Sequence, residues 1–462
     1  MDPSWRRDPV FCFESVRRAS WDSPCLAAAF NARREHCVEL LFSVPYLVRI
    51  ILSLFGILVF QKIAKRLDIA MVLGIAMLAL WTGHSPTSMA EVTAERVFSW
   101  DMFFLAFVIT GVIWLSSFMS ESGIMKDLVI SLKSRLSKRA ILAALPAVVG
   151  LLPMPAGALF SAPLVDGADS ESALTPLEKT QINYWFRHVW EFWWPMYPGV
   201  LLAVDLAGMP IWVFVLFMLP LFLAAVFSGY VFLLRKTPNG KAEARGADDK
   251  AFIPLILPTL TVIIVYALIM LLAPIVSVWN KYLPMAIGIV CGIAVMQAQR
   301  PANAATWKKV IWSRRVLGLV AIIVLARIYG AFIEAQLTDG TYLMEKVRHE
   351  LDTFGIPTVI LIVVIPFISG LTTGITVGYI GASFPVVLSL AGTEQGSLLS
   401  TIVLGYASGY IGMMLSPIHV CLIVTNEYFK TRLSHSISGL LRPALLLFAC
   451  AIVYSCLWAW FG

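Results

Sequence analysis

The sequence predicts an all-α polytopic membrane protein built as two inverted repeats, each of about five transmembrane helices plus one re-entrant hairpin. Three observations predict it: a membrane-like composition, broken apolar segments at matching places in the two halves, and the distribution of Lys and Arg among the loops.

Of 462 residues, 59% are hydrophobic and 14% charged, against a charged share of about 25% in soluble domains. Windows of about 20 apolar residues, long enough to cross about 30 Å of hydrocarbon, recur along nearly the whole chain. Residues 1–39 carry Arg17-Arg18 and Arg33-Arg34 among acids with no apolar core; they read as a disordered tail or a start-site artefact. The first repeat, 40–234, opens with three near-continuous apolar runs at 40–61, 68–83 and 100–119. The fourth run, 139–166, contains "LPAVVGLLPMPAGALFSAPLV", with Pro146, Pro153, Pro155 and Pro163 beside Gly150 and Gly157. Runs at 184–204, broken at Pro195, and 209–234 complete the half. The polar stretch 235–251 reads as a cytoplasmic linker. The second repeat, 252–462, supplies 252–275, 282–298 and 315–334, then 356–390 with "VIPFISGLTTGITVGYIGASFPVV", 399–425 broken at Pro417, and 438–461.

Irregular backbone at membrane depth must be buried in protein or line a cavity, because lipid cannot satisfy its N–H and C=O groups. Pro163 and Pro385 are 222 residues apart, and so are Pro195 and Pro417. Matched interruptions of this kind mark the binding site of repeat-built transporters.

Loop charge sets the orientation. Loops 62–67 (Lys62, Lys65, Arg66), 120–139 (Lys126, Lys133, Arg135, Lys138, Arg139) and 299–315 (Arg300, Lys308, Lys309, Arg314, Arg315) belong on the cytoplasmic side. Loops 84–99 and 335–355 lack that basic excess and face outward. All the basic loops fall inside only if 145–166 enters and leaves from one side, and 364–389 does likewise from the other. Each half then makes five crossings, an odd number, which inverts the second relative to the first. The acidic loop 167–182 becomes cytoplasmic. The net charge of +7 is accounted for by these loops, so nucleic acid is not an expected partner.

The seven cysteines show no CxxC pair and no Cys/His metal spacing, so neither a disulfide framework nor a metal site is expected. HExxH, Gly-x-Gly-Asp, Gly-x-Ser-Gly and GxxxxGK[ST] are absent, and no catalytic residues are assigned.

Ionisable groups within spans are functional candidates. "YWFRHVWEFWWPMYPG" places Arg187, His188 and Glu191 beside the Pro195 break. Arg187 and Glu191, four apart, lie on one helical face and can neutralise one another, or the stretch is the interfacial end of a span. After the second break, "MMLSPIHVCLIVTNEYFK" supplies Ser416, His419, Thr425 and Asn426, with Glu427 nearer the interface. His419 either carries a proton or donates to a carbonyl freed by Pro417. Around the second hairpin Thr372, Thr373 and Thr376 offer hydroxyls, unless they bond back to their own helix; the first hairpin offers backbone at Pro155 and Gly157, and Ser161. Arg327, mid-span in "IIVLARIYGAF", either holds an anion bidentately or forms a structural charge pair. Arg49 is nearer a span end and can snorkel.

The inverted arrangement of five spans and a hairpin resembles the ion transporter superfamily, which includes dicarboxylate, citrate and gluconate carriers. More closely, "LPMPAGALFSAPLV" with "SPIHVCLIVTNEYF" is similar to a prokaryotic integral-membrane family of that superfamily, the domain of unknown function numbered four hundred and one, over about residues 44–462. The resemblance implies a secondary carrier whose hairpin tips and broken helices meet at the substrate. The Ser-Asn-Thr hairpin signature of sodium-coupled dicarboxylate carriers is absent from both hairpins.

The sequence therefore leads to a secondary active transporter of a small polar, anionic solute, driven by a proton or sodium gradient. A membrane-embedded enzyme or a channel using the same broken helices is the alternative. The expected setting is the lipid bilayer of the inner (cytoplasmic) membrane, multi-pass, with no cofactor beyond a coupling Na+ or H+, and with a homodimer as the assembly to test.

Overall fold

Proline, glycine and capping side chains divide the apolar runs into helices. The computed structural model describes residues 43–124, 127, 136–151, 153, 157–169, 173–237, 252–337, 339–391 and 395–461. The expected tail, 1–39, and all but the first residues of the linker lie outside the described residues.

The first set of helices is α1 (Tyr46–Ala64), α2 (Leu67–Trp81), α3 (Pro86–Val97), α4 (Trp100–Glu121), α5 (Lys138–Gly150), α6 (Gly157–Asp166), α7 (Pro176–His188), a 3-10 turn (Val189–Phe192), α8 (Pro198–Leu206) and α9 (Ile211–Gly229), which runs on as a π turn (Tyr230–Leu234). The second set is α10 (Phe252–Leu272), α11 (Ile275–Trp279), α12 (Leu283–Gln299), α13 (Ala304–Ile311), α14 (Arg314–Glu334), α15 (Leu343–Phe354), α16 (Thr358–Thr373), α17 (Thr376–Leu390), α18 (Gln395–Met414), α19 (Val420–Phe429) and α20 (Leu433–Phe461).

Four expected loops contain helices, each for a local reason. In 299–315, Asn303 caps α13 by accepting from Thr306 N at 2.9 Å. Ser85 caps α3 by accepting from Ser88 N at 3.2 Å, with Pro86 in the first turn. In 335–355, α15 is amphipathic: Leu343, Met344, Val347 and Leu351 are buried on one face. In the acidic loop, α7 begins at Pro176, well before 184, because Thr175 and Glu178 form a reciprocal capping box. The polar first turns of α7 are tolerated inside the protein because Lys179 Nζ lies 2.9 Å from Asp166 and 3.2 Å from Asp169.

Among the described residues, six helical stretches are long and apolar enough to cross a membrane: Tyr46–Ala64, Trp100–Glu121, Ile211–Leu234, Ala304–Glu334, Gln395–Met414 and Leu433–Trp460. A seventh is reached if α15 and α16, which meet at 113°, count as one span. This is fewer than the ten crossings expected; the other apolar runs contribute, among the described residues, apolar helical stretches of 10–17 residues. Side chains such as Ile63, Leu271 and Trp460 stand exposed on the outer surface, where lipid is as apolar as they are. Arg49 does not snorkel. It is buried and donates to the carbonyls of Val44 and Trp81, both at 2.8 Å.

Three helix contacts of the first set recur in the second. α1 packs on α2 as α10 does on α12, α5 on α6 as α16 on α17, and α7 on α5 as α18 on α16. The α16–α18 contact is close because neither helix has a side chain in the way: a Cβ on Gly370 would lie 2.1 Å from Gly409 O, and one on Gly412 would lie 2.1 Å from Phe367 O. The two sets meet through α8 on α17, α19 on α6 and α7 on α19, so the interrupted helices of both halves face one another.

Candidate functional site

Four backbone breaks build the site. α5 stops at Gly150, and the chain resumes as α6 at Gly157 after Pro153. α7 stops at His188; the 3-10 turn and Pro195 follow, and Pro198 opens α8 at a position where its missing N–H costs nothing. α16 ends at Gly374, whose φ of 62° is the left-handed cap that glycine adopts without strain. α18 ends at Met414, and Ser416-Pro417 separates it from α19, whose N-cap is His419.

These breaks lie in contact. A Cβ on Gly374 would sit 3.1 Å from His419 N and 3.2 Å from Ser416 Oγ. Ser416 Oγ donates to Leu371 O at 2.7 Å and accepts from Ile418 N at 3.3 Å, tying the second break to the neighbouring tip. On the other side, a Cβ on Gly157 would lie 2.2 Å from Arg187 Nη2, so the guanidinium occupies the space that glycine leaves. Arg187 Nη1 donates to Cys421 Sγ at 2.9 Å. His188 Nε2 is 3.1 Å from His419 Nε2, with the rings nearly perpendicular. Tyr184 stands over both, its ring centre 4.7 Å from that of His188 and 5.2 Å from that of His419. Thr376 Oγ1 donates to Glu191 Oε2, and Glu191 Oε1 is 3.9 Å from His188 Nε2. Tyr406 OH donates to the Glu191 carbonyl.

Two expectations need correction. Arg187, His188 and Glu191 do not reach water as a solvated span end would: they are 5%, 2% and 7% exposed. Nor does the four-residue spacing put Arg187 and Glu191 on one helical face, because the α-helix stops between them and Glu191 turns toward Thr376 on α17.

Of the remaining candidates, Thr372 Oγ1 donates to Ile368 O and Thr373 Oγ1 to Ser369 O, each at 2.7 Å, the back-bonding that ordinary helix threonines make. Thr425 donates to Cys421 O and accepts from Asn183 Nδ2 at 3.1 Å. Asn426 Oδ1 receives the hydroxyls of Thr431 and Ser436, so it braces the turn into α20. Ser161 is buried on α6, and its hydroxyl has no partner among the described residues. Pro155 lies outside the described residues. Arg327 is elsewhere: its Nε is 3.2 Å from Asp205 Oδ2, and Nη1 contacts Met102 Sδ. It is half of a structural charge pair, because α8 places Asp205 opposite it.

Sequence reasoning missed Cys421 and Asp205. Cys421 follows His419 by two residues, a signal too short to stand alone. Asp205 falls one residue beyond the expected run 184–204.

An all-helical, multi-pass membrane protein with two pairs of interrupted helices facing one another is thus the class that fold and site define. Residues 48–457 match the model of the family described as protein of unknown function (DUF401), and the chain belongs to that family. Among curated proteins none matches significantly. Among solved structures, the chain is similar to the YdaH transporter of Alcanivorax borkumensis, described as having an unusual topology: 12% identity over 86% of this chain and 98% of that one, with a TM-score of 0.58. The likeness is one of fold.

Proposed function

We propose that this chain is a secondary active transporter of a small polar, anionic solute, driven by a proton or sodium gradient, with its site where the four breaks meet. In this reading the two sets of helices are inverted repeats, and 145–166 and 364–389 are re-entrant hairpins, the arrangement of the ion transporter superfamily. It is a carrier rather than an enzyme. The observation that carries the proposal is the convergence of both halves' interruptions: Gly157 and Arg187 from the first, Gly374, Thr376 and His419 from the second, joined through Glu191 and His188. Breaks at membrane depth leave backbone groups that only protein or solute can satisfy. Arg187 supplies a fixed positive charge for an anion, and Glu191 with Thr376 supplies oxygen donors for a coupling cation. The similarity to a transporter fold supports the same reading.

The test is uptake by the purified chain in proteoliposomes, with a panel of labelled small carboxylates and an imposed pH or Na+ gradient. Saturable accumulation that collapses when the gradient is dissipated, and is lost in a folded Arg187→Gln variant, is expected. Flux that rises linearly with solute and ignores the gradient would make it a channel.

A further inference from the structure

We propose that His188, His419 and Cys421 form a binding site for a thiophilic or borderline transition-metal ion, with Zn2+ the best chemical match. The donor atoms of these three residues lie within 4.8 Å of one another, although His188 and His419 are 231 positions apart in the chain. The site goes beyond the transport reading, because it concerns equilibrium binding and needs no flux.

The tautomers point the same way. His188 Nδ1 is 2.6 Å from the carbonyl oxygen of Tyr184. A carbonyl only accepts, so Nδ1 carries the proton and Nε2 is left with a lone pair aimed at His419. A ring whose far nitrogen is fixed by a backbone carbonyl is the usual orientation of a metal-bound histidine. The His419 ring is held less firmly: its Nδ1 is buried without a partner among the described residues, where His188 is the ring's one hydrogen-bond partner. In the empty site His419 Nε2–H donates to His188; on binding, that proton moves to Nδ1 and both Nε2 lone pairs face the ion.

Distances and charge agree. Metal–nitrogen bonds of about 2.0–2.1 Å in a tetrahedral site place two imidazole nitrogens about 3.3 Å apart, and a sulfur about 3.6 Å from each. The nitrogens are already at 3.1 Å, and the thiol sits on the first turn of α19, two residues from His419, with its sulfur within 4.8 Å of both, so closing on an ion takes a shift of about 1 Å. Two imidazoles and a thiolate suit Zn2+ rather than Mg2+ or Ca2+. Binding releases the Cys421 proton to solvent, so that the sulfur ligates as the thiolate. Glu191 Oε1, 3.9 Å from His188 Nε2, puts a carboxylate beside the ion to offset its charge and fill the fourth position.

The experiment uses the full chain in detergent, stripped with chelator and titrated with Zn2+ against a chromophoric competitor, and separately with Co2+ followed by absorbance. One Zn2+ per chain is expected, with a near-ultraviolet thiolate-to-cobalt charge-transfer band. His188→Gln, His419→Gln and Cys421→Ser should each weaken binding by more than about tenfold, the scale that outer-shell partners already reach, while His435→Gln, at an exposed position, should not. The cobalt band is read on the unmodified chain, so the test survives a variant that fails to fold. Absence of stoichiometric zinc, a cobalt complex without the thiolate band, or binding unchanged in all three variants would each overturn the site. None of these readings depends on solute uptake, so the transport proposal and this one fail separately.

Discussion

Asp205→Leu should destabilise the chain more than Arg327→Leu. Asp205 is 3% exposed and is engaged by Arg327 Nε at 3.2 Å, Lys281 Nζ at 3.3 Å and the Tyr282 hydroxyl. At that separation and an effective dielectric of about 20, the Arg327–Asp205 attraction is about 5 kcal/mol before desolvation. Removing the carboxylate leaves a guanidinium only 14% exposed, with a methionine sulfur at 3.8 Å as its remaining partner among the described residues. Orphaning a buried charge in this way costs about 3–5 kcal/mol. Arg327→Leu instead leaves Asp205 with Lys281 and Tyr282, so about 1–3 kcal/mol is expected. The double variant should lose less than the sum, by more than about 1 kcal/mol, because it removes both desolvated groups together. Equilibrium unfolding in detergent micelles, followed by tryptophan fluorescence, measures all four proteins. Additive single effects would refute the pairing. An Arg327→Leu chain as stable as the unaltered one but unable to take up solute would return Arg327 to the substrate site.

Gly374→Ala puts a side chain at φ 62° and 3.1 Å from His419 N; a stability loss of about 1–2 kcal/mol and a larger fall in uptake are expected, whereas Gly318→Ala, with nothing within 4 Å, should be silent in both assays. Cysteine at exposed Lys308 should be protected from an impermeant reagent outside the cell and cysteine at exposed Asp339 modified; labelling of both from one side would end the inverted arrangement. Burial pushes the Asp169 carboxyl in the α6–α7 loop up, but the N–H groups of Leu174 and Ala173 and the Lys179 ammonium outweigh it and hold it below the ordinary range. Its stabilisation is therefore complete above the unfolded value of about 3.9 and lost as pH falls through the folded one; Asp169→Asn should lower stability at pH 7 and flatten the acid limb of the unfolding profile.

Four helical breaks were legible because proline and glycine act through their own backbone: Pro195, Pro198, Gly374 and Pro417 stand at breaks or caps, whereas Pro163 and Pro385, expected to interrupt, lie inside α6 and α17. The extra helices in the expected loops were written locally too, in Ser85, Thr175 and Glu178, but a hydropathy window is blind to caps and to amphipathic turns such as α15. Thr372 and Thr373 show the opposite failure. Residue type marked them as site hydroxyls, while their geometry returns both to their own helix.

By itself the sequence determined that the chain is a helical membrane protein, and where its backbone is interrupted, because burial of apolar side chains and the limits on proline and glycine are properties of each residue and its neighbours. Tertiary structure alone decided which groups meet. Arg327 found Asp205 because α8 packs beside α14; Glu191 found Thr376 because the helix ends at His188; and His188 found His419 because α7 packs on α19. Each of these pairings spans more than a hundred residues of chain. No local rule encodes them, since what sets them is the packing of one half against the other.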